Sequence, residues 1–338
     1  MTPGASRAGR GPGRWPLTAA LVALAAVVLA ATVGGLSARL GKQPTTVGGT
    51  RFVADVPGAT GVVWAVGDGP DGGADAARVA RLIAADRQTD RVLYLGDTYD
   101  SPKRGVRRLR GSAGSARGSG VAGAGDNWAR RFAGAYRRLV SITAPTPGNH
   151  DWPGEATTGY LPFWRAASGR RVPAYYAFSV AGWEILSLNS EAPLRHGTAQ
   201  LAWLDGQLRE PGNCRVAFWH RPRFSAGHRH GDEDDVEPLW RTVVGRAAIV
   251  LTGHEHNMQR FEPVSGTTQF VSGAGGHGLY GVHAHDERLA FANASDFGAL
   301  RLQLSQCRAE WRFVTVAGVT VDAGALSCTP LERRLVPR

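Results

Sequence analysis

Residues 61–97 read GVVWAVGDGPDGGADAARVARLIAADRQTDRVLYLGD, and the order of the elements in this segment indicates the fold class. It begins with Gly61–Val66, an almost continuous apolar run of the kind found in strands that are buried on both faces. A second run of the same kind, Arg91–Leu95, comes near its end. Between them, residues 74–86 carry apolar side chains at helical spacing. The order strand, helix, strand predicts a βαβ unit with a parallel strand pair.

Each of these two strands is followed by the pair Gly-Asp, at Gly67-Asp68 and at Gly96-Asp97. The carboxyl ends of neighbouring parallel strands meet at one edge of a sheet, and open α/β sheets bind their ligands outside that edge. The stretch therefore predicts that the carboxylates of Asp68 and Asp97 face one common site.

Three later segments bring side chains of similar chemistry to predicted strand ends. They are Asn149, His150 and Asp151 after Pro147-Gly148, His220 after the strand 215–219, and His254 and His256 after the strand 247–251. Any one segment is compatible with a turn or with surface histidines, but five such ends in chain order favour a metal site. Carboxylate, amide and imidazole ligands without a thiolate suit Fe, Mn or Zn. The ligands are too many for one four-coordinate ion, so we predict two ions that share a carboxylate, about 3.5–4 Å apart.

The rest of the chain predicts further α/β structure and a second sheet. A hairpin is expected to join the strands 175–180 and 183–188 through Ala181-Gly182. The other expected elements are two strands within 52–66, helices at 127–139 and 198–208, and strands at 268–272, 299–304 and 309–316. The last three strands follow one another along the chain, which suggests that they belong to the second sheet.

The chain resembles the calcineurin-like metallophosphoesterases, and most closely their purple-acid-phosphatase-like branch, in the order of five motifs. The motifs are Gly67-Asp68, Gly96-Asp97, Gly148-Asn149-His150-Asp151, His220 after a strand, and Gly253-His254-Glu255-His256. The resemblance covers about residues 52–261 and implies a four-layer αββα sandwich of two mixed β-sheets flanked by helices. It also implies hydrolysis of phosphomonoesters through attack of a metal-bound hydroxide. Two alternatives stay open: a phosphodiesterase acting on nucleotides or lipid head groups, and a catalytically impaired binding or scaffold ectodomain.

The resemblance also implies a role for each motif residue. Asp97 is expected to bridge the two metal ions, with Asp68 and His256 on the first ion and Asn149, His220 and His254 on the second. His150 is expected to hold the phosphate or to protonate the leaving group. Asp151 is expected to orient the ring of His150.

One ligand of the first ion departs from the family pattern. Pro70 stands where most of the superfamily has the histidine of an Asp-x-His motif. The purple branch instead has a tyrosine three residues after the bridging aspartate, where this chain has Asp100 and carries its tyrosine one position earlier. We predict Tyr99 as the missing ligand, with Asp100 as the alternative.

Charged residues near the motifs divide into expected substrate and surface groups. Arg221 and Arg223 follow His220, and an arginine fork matches phosphate oxygens, so both are predicted to bind substrate, with a rim position as the alternative. His277, His283 and His285 lie in a Gly-rich loop, and they are expected at the surface. Residues 232–235 are expected to form a solvated acidic loop.

The N-terminal segment predicts export. Residues 15–38 carry no charge and follow Arg7, Arg10 and Arg14, which indicates a membrane anchor with residues 1–14 in the cytoplasm. A cleaved signal peptide is the alternative. Residues 39–50 are then a linker, and residues 51–338 form a metallophosphoesterase domain outside the cytoplasm. The protein is expected in the cell membrane, or secreted if the segment is cleaved.

Composition and cysteines agree with an exported globular enzyme. The chain has 338 residues, 43% of them hydrophobic, and a net charge of +11. Much of the positive charge lies in the N-terminal tail and in a predicted flexible insertion, 101–126, which lacks the interleaved aromatic residues of a stacking platform. No nucleic acid partner is therefore expected, and the resemblance implies a small phosphorylated molecule as the partner. Three cysteines predict one disulfide and one free thiol, with the pairs Cys307–Cys328 and Cys214–Cys328 both open.

Overall fold

The computed structural model describes residues 1, 48–49, 52–70, 73–98, 132–152, 159–283 and 285–331. Within these ranges, no helix has both the length and the apolar character needed to cross a bilayer. The predicted anchor at 15–38, the insertion 101–126 and both candidate ligands Tyr99 and Asp100 lie outside the described residues.

Thirteen strands in the described part of the chain form two mixed sheets. In chain order, β1 to β13 are Thr60–Val66, Thr89–Tyr94, Thr143–Pro145, Tyr176–Val180, Trp183–Ser187, Arg215–Phe218, Ile249–Thr252, Met258–Phe261, Thr268–Ser272, Leu289–Asn293, Gly298–Ser305, Arg308–Thr315 and Thr320–Ser327. One sheet has the order β13-β12-β11-β1-β2-β3, and the other has the order β10-β8-β9-β7-β6-β5-β4. The α-helices with complete bounds are Asp75–Ala85, Leu161–Ser168, Ala199–Gln207 and Glu237–Val243, and residues 132–136 are also helical.

The predicted βαβ unit is confirmed. Strands β1 and β2 pair in parallel, with Trp64 opposite Val92. The connecting helix, Asp75–Ala85, buries Val79 and Ile83 completely. Every residue of β1 after Thr60 is buried, as expected for a strand that is covered on both faces.

Alternating side chains of the second sheet face two different cores. Ile185, Val216 and Ile249 belong to a core that also contains residues of the first sheet. Their chain neighbours Leu186, Ala217 and Val250 belong to a second core, shared with the helices Ala199–Gln207 and Glu237–Val243. Because successive residues of a strand point to opposite faces, this sheet lies between the other sheet and a helical layer.

The predicted hairpin is also confirmed. Strands β4 and β5 are antiparallel, with Val180 opposite Trp183. The two residues between them, Ala181 and Gly182, have φ values of 49° and 85°. Positive φ at both central residues gives a turn whose twist matches that of the paired strands.

Some expected strand boundaries and partners are wrong. Residues 52–59 form no strand beyond an isolated bridge between Val56 and Val180. The three late strands also do not share a sheet, because β9 joins the second sheet while β11 and β12 join the first, where β11 pairs with β1. Apolar alternation identifies a strand but does not identify its neighbour, since the neighbour is set by packing between distant segments.

The disulfide joins Cys214 to Cys328, and Cys307 is free. This pair fastens the residue that precedes β6 to the residue that follows β13. Backbone hydrogen bonds from Cys214 and Asn213 to the carbonyl of Thr329, at 3.1 and 2.9 Å, hold the same contact. Of the two pairings that the sequence leaves open, the structure has the one that ties the C-terminal strand to the core.

Candidate metal centre

Side chains from four of the five predicted strand ends line one small cavity. Six of the predicted site residues are among the lining residues, together with five residues that were not predicted to belong to the site. The lining residues are Asp68, Pro70, Asp97, Asn149, His150, Arg229, His230, His254, His256, His277 and Tyr280. The cavity has a volume of about 80 Å³. His220 lies directly behind this lining and is fully buried.

The backbone that presents these side chains is strained. Asp68, Asp97 and His254 have φ values of 58°, 51° and 70°, in the left-handed region that few non-glycine residues adopt. Such outliers persist where the surrounding structure fixes them, and they concentrate at functional sites. At Gly148, a Cβ would lie 2.1 Å from Asp97 Oδ1, so only glycine allows this approach.

His220 directs an unprotonated nitrogen into the cluster. Its Nδ1 lies 2.9 Å from the carbonyl oxygen of Leu95, and that nitrogen must therefore carry the proton and donate it. Burial first, and then His254, lower the pKa of His220, so the ring is neutral and Nε2 has a lone pair. Nε2 lies 2.9 Å from Asn149 Oδ1 and 3.5 Å from Asp97 Oδ1. Three acceptor atoms, His220 Nε2, Asn149 Oδ1 and Asp97 Oδ1, thus lie close together.

His254 completes this group in the same way. Its Nε2 donates to Glu233 Oε1 at 3.1 Å, which leaves the lone pair on Nδ1. Nδ1 lies 3.1 Å from His220 Nε2. Burial, followed by His230 and Arg221, lowers the pKa of His254 to about 2. Two neutral imidazoles that point lone pairs at each other fit a cation between them, which is the set expected for the second ion.

Asp68 and His256 form the corresponding pair for the first ion. Asp68 Oδ2 accepts a hydrogen bond from the backbone N–H of His254 at 2.8 Å. Asp68 Oδ1 is buried, finds no donor among the described residues, and lies 3.7 Å from His256 Nε2. His256 Nδ1 lies 2.9 Å from the carbonyl of Gly278, so its Nε2 also carries a lone pair. Burial and then Asp97 raise the pKa of Asp68 well above 3.8.

These donor atoms fit a binuclear site. One ligand atom each from Asp68, Asp97 and His220 lies within 4.8 Å of the others. The first set provides carboxylate and imidazole, and the second provides imidazoles and an amide oxygen. Asp97 is close to members of both sets, as a bridging carboxylate must be. The buried Asp68 Oδ1, which has no donor among the described residues, carries a desolvation cost that a bound cation would remove.

His150 and Asp151 occupy different environments. The side chain of His150 is 41% exposed, and its Nε2 lies 3.8 Å from Asp97 Oδ2. Its backbone N–H donates to Asp97 Oδ1 at 3.0 Å. Asp151 is fully buried, and its Oδ2 accepts hydrogen bonds from the N–H groups of Gly148 and Thr98, at 2.9 and 3.0 Å. These bonds tie the loops after β2 and β3 together, and the predicted orientation of the His150 ring by Asp151 stays a prediction.

The two predicted substrate arginines are engaged by carboxylates. Arg221 bonds to Glu191 and to Glu233, each at 3.0 Å. Arg223 bonds to Glu237 and lies 3.3 Å from Asp234. Neither arginine is among the residues that line the cavity.

The surface prediction is wrong for His277, and Glu233 of the predicted acidic loop is partly buried, with 18% of its side chain exposed. His277 is only 9% exposed, and its Nδ1 lies 3.1 Å from His256 Nδ1. Glu233 holds the proton-bearing nitrogen of His254, the kind of contact that fixes a ligand's tautomer. His283 and His285 are exposed, as expected.

A Gly-rich segment explains why His277 was missed. Gly275 packs so closely on the turn after β1 that a Cβ there would lie 2.1 Å from the carbonyl oxygen of Gly67. The Gly275-Gly276 pair could therefore have indicated close backbone approach rather than an exposed loop.

A search for related proteins agrees with the motif order. A family model described as calcineurin-like phosphoesterase matches residues 52–258. A curated relative, the probable purple acid phosphatase 20 of Arabidopsis thaliana, is 31% identical over 119 residues, which are 32% of this chain and 28% of that protein. The chain thus spans about a quarter of the length of this relative.

Two solved structures share the fold. Purple acid phosphatase PPD1 from seeds of yellow lupin (Lupinus luteus) has a TM-score of 0.59 and 17% identity, over 84% of this chain and 55% of the lupin chain. GAP50, the anchor in the inner membrane complex of Plasmodium, also has a TM-score of 0.59, with 14% identity over 82% of this chain and 90% of GAP50. At these identities the likeness establishes the architecture alone.

Proposed function

The chain belongs to the calcineurin-like phosphoesterase family, and on that premise we propose that it is a metal-dependent hydrolase of phosphomonoesters that acts outside the cytoplasm. The observation that carries the proposal is the meeting of acceptor atoms around Asp97. His220 Nε2 and His254 Nδ1 lie 3.1 Å apart, and the buried Asp68 Oδ1 faces His256 Nε2. Such a cluster is suited to holding cations.

In the proposed enzyme, each ion has its own set of ligands. Asp68 and His256 would hold one ion, Asn149, His220 and His254 the other, and Asp97 both. Two bound cations would activate water near neutral pH and neutralise charge on the phosphate oxygens. Glu233 would keep His254 in the tautomer that presents Nδ1, and the carbonyl of Leu95 would do the same for Nε2 of His220.

His150 is the proposed acid for the leaving group. It is the most exposed of the motif histidines, and its backbone and ring both lie against Asp97. A protonated ring there would donate a proton to the ester oxygen as the bond from that oxygen to phosphorus breaks. The departing group would leave as a neutral alcohol.

A monoester is proposed over a diester because the curated relative, 31% identical over 119 residues, is named a purple acid phosphatase.

Export is part of the proposal. The Cys214–Cys328 disulfide supports it, because disulfides persist mainly in oxidising compartments. The uncharged run 15–38 would then act as an anchor or a signal.

The function is tested by hydrolysis of phenyl phosphate, a monoester, and of diphenyl phosphate, a diester. The protein is first stripped of metal, and Fe, Mn or Zn is then restored in turn. We expect metal-dependent release of inorganic phosphate from the monoester, with much slower cleavage of the diester. Faster cleavage of the diester would favour the phosphodiesterase alternative. A folded protein that takes up metal and cleaves neither ester would refute the enzymatic proposal.

A further inference from the structure

Arg229 is a cation at the cavity that lies outside the five sequence motifs. It is exposed and lines the cavity beside His230 and Tyr280. The other arginines near the site, Arg221 and Arg223, each bond to carboxylates. For Arg229, by contrast, no carboxylate of the described residues forms an ion pair with the guanidinium. Its charge is therefore available to an anion that enters the site.

The backbone of Arg229 is fixed to the ligand cluster through Glu255. Glu255 is fully buried and lies between His254 and His256 in the chain. Its Oε1 accepts a hydrogen bond from the N–H of Arg229 at 3.3 Å, and its Oε2 accepts one from the N–H of His230 at 3.0 Å. Glu255 thus fixes the position of the loop relative to the proposed ligands His254 and His256.

Close packing on Glu255 secures the start of the same loop. A Cβ at Gly227 would lie 2.0 Å from Glu255 Cδ. The N–H of His228 donates to the carbonyl of Gly281 at 2.9 Å, which joins the loop to the segment that carries Tyr280. Arg229 is therefore held by a braced loop rather than by a free surface turn.

The side chain of Arg229 has an aromatic support. The guanidinium carbon lies 5.2 Å from the ring centroid of Tyr280. Tyr280 in turn stacks on His256, with ring centroids 4.1 Å apart and planes 14° from parallel. A guanidinium supported by an aromatic ring can direct its N–H groups toward a planar or tetrahedral anion.

The position of Arg229 places it within reach of the organic part of a substrate. Arg229 lines the same cavity as the proposed ligands and is exposed, so a group attached to a phosphoryl group bound at those ligands can reach it. We infer that Arg229 determines specificity by binding a second anionic group, a phosphate or a carboxylate, on the substrate. The preferred substrates are then phosphomonoesters that carry another anionic group near the scissile ester. This inference rests on the proposed phosphomonoesterase function.

The test compares substrates that differ only in the second charge. Phenyl phosphate is the reference, the 2-, 3- and 4-carboxyphenyl phosphates form the carboxylate series, and 3-phosphonophenyl phosphate supplies a second phosphorus group that cannot be hydrolysed. The measured quantity is the ratio of kcat/KM for each charged substrate to that for phenyl phosphate. The proteins are the wild-type chain, Arg229→Gln, and Arg312→Gln as a matched loss of one exposed arginine on β12.

We expect a wild-type ratio well above one for at least one charged substrate. Arg229→Gln should lower that ratio about ten- to a hundredfold, mainly through KM, because a charge-assisted hydrogen bond is lost. Arg312→Gln should keep the wild-type ratio. The better of the carboxylate and phosphonate substrates identifies the anion.

Two outcomes would overturn the inference while the proposed function stands. One is a ratio that Arg229→Gln leaves unchanged. The other is an equal loss on all substrates, which would mean that Arg229 contacts the scissile phosphate itself. If the wild-type chain releases no phosphate from any of these esters with any metal, the proposed function fails, and that result is distinct from both.

Discussion

Replacing Asp68 by asparagine should stabilise the metal-free protein while weakening its first metal site. Asp68 Oδ2 accepts from His254, and its buried Oδ1 faces the lone pair of His256 Nε2 at 3.7 Å. In the Asp68→Asn variant, the amide oxygen can keep the first contact and the amide N–H can face His256. The variant also removes the repulsion between Asp68 and Asp97 that helps to raise the pKa of Asp68.

The buried carboxylate of Asp68 determines how much stability the metal-free variant gains and how this gain depends on pH. An unpaired buried acceptor costs about 1–3 kcal/mol, and each kcal/mol corresponds to about 2–4 °C in Tm for a domain of 150–250 residues. Because the folded pKa of Asp68 lies above 3.8, the folded state binds more protons than the unfolded state between the two values. The stability of the metal-free wild-type protein therefore falls as the pH rises through that window, and the advantage of the variant grows.

Thermal unfolding of metal-free and metal-loaded protein, at about pH 5 and about pH 8, measures both effects. The metal-free variant should melt above the metal-free wild type, by more at the higher pH, and should gain less Tm from added metal. Asp86→Asn is the matched control, since it loses a 2.7 Å ion pair with Arg301 and should lower Tm with or without metal. The reasoning fails if the metal-free variant of Asp68 melts below the wild type, or if it binds two ions as tightly.

Three further variants test the site. Asp97→Ala should lose both ions, because Asp97 is the proposed carboxylate common to the two ligand sets, and metal analysis after dialysis that still finds two ions would contradict this. His150→Ala should lower kcat about 10²–10⁴-fold with its metal content intact, since the residue is exposed and is proposed to supply a proton rather than a ligand; parallel loss of metal would give it another role. Gly227→Ala should lower both kcat/KM and Tm, because its Cβ would lie 2.0 Å from Glu255 Cδ. Its control is Gly206→Ala, where a Cβ has no atom within 4 Å. Equal changes in kcat/KM and Tm in the two variants would mean that the contact of Gly227 with Glu255 does not support the cavity.

The sequence predicted which polar side chains meet at the cavity better than it predicted the order of the strands around them, for a physical reason. Asp68, Asp97 and His220 each follow a strand that is recognisable from its own apolar run, and parallel strands bring their ends together. The pairing of β11 with β1 and the choice of Cys214 as the partner of Cys328 depend instead on packing between distant segments. Local patterns contain little information about such contacts.

The difference between local patterns and distant packing also explains why the sequence indicates the chemistry of the site but not its specificity. The expected ligands lie within short motifs, whereas the cavity wall is assembled from His230, His277 and Tyr280, whose loops reach the site only after folding. Glu255 belongs to a motif and also contacts one of the loops that form the cavity. It lies between two candidate ligands, His254 and His256, yet its carboxylate binds the backbone of the loop that carries Arg229. Because of these contacts, a substitution at Glu255 is expected to disturb both the proposed ligands His254 and His256 and the position of Arg229.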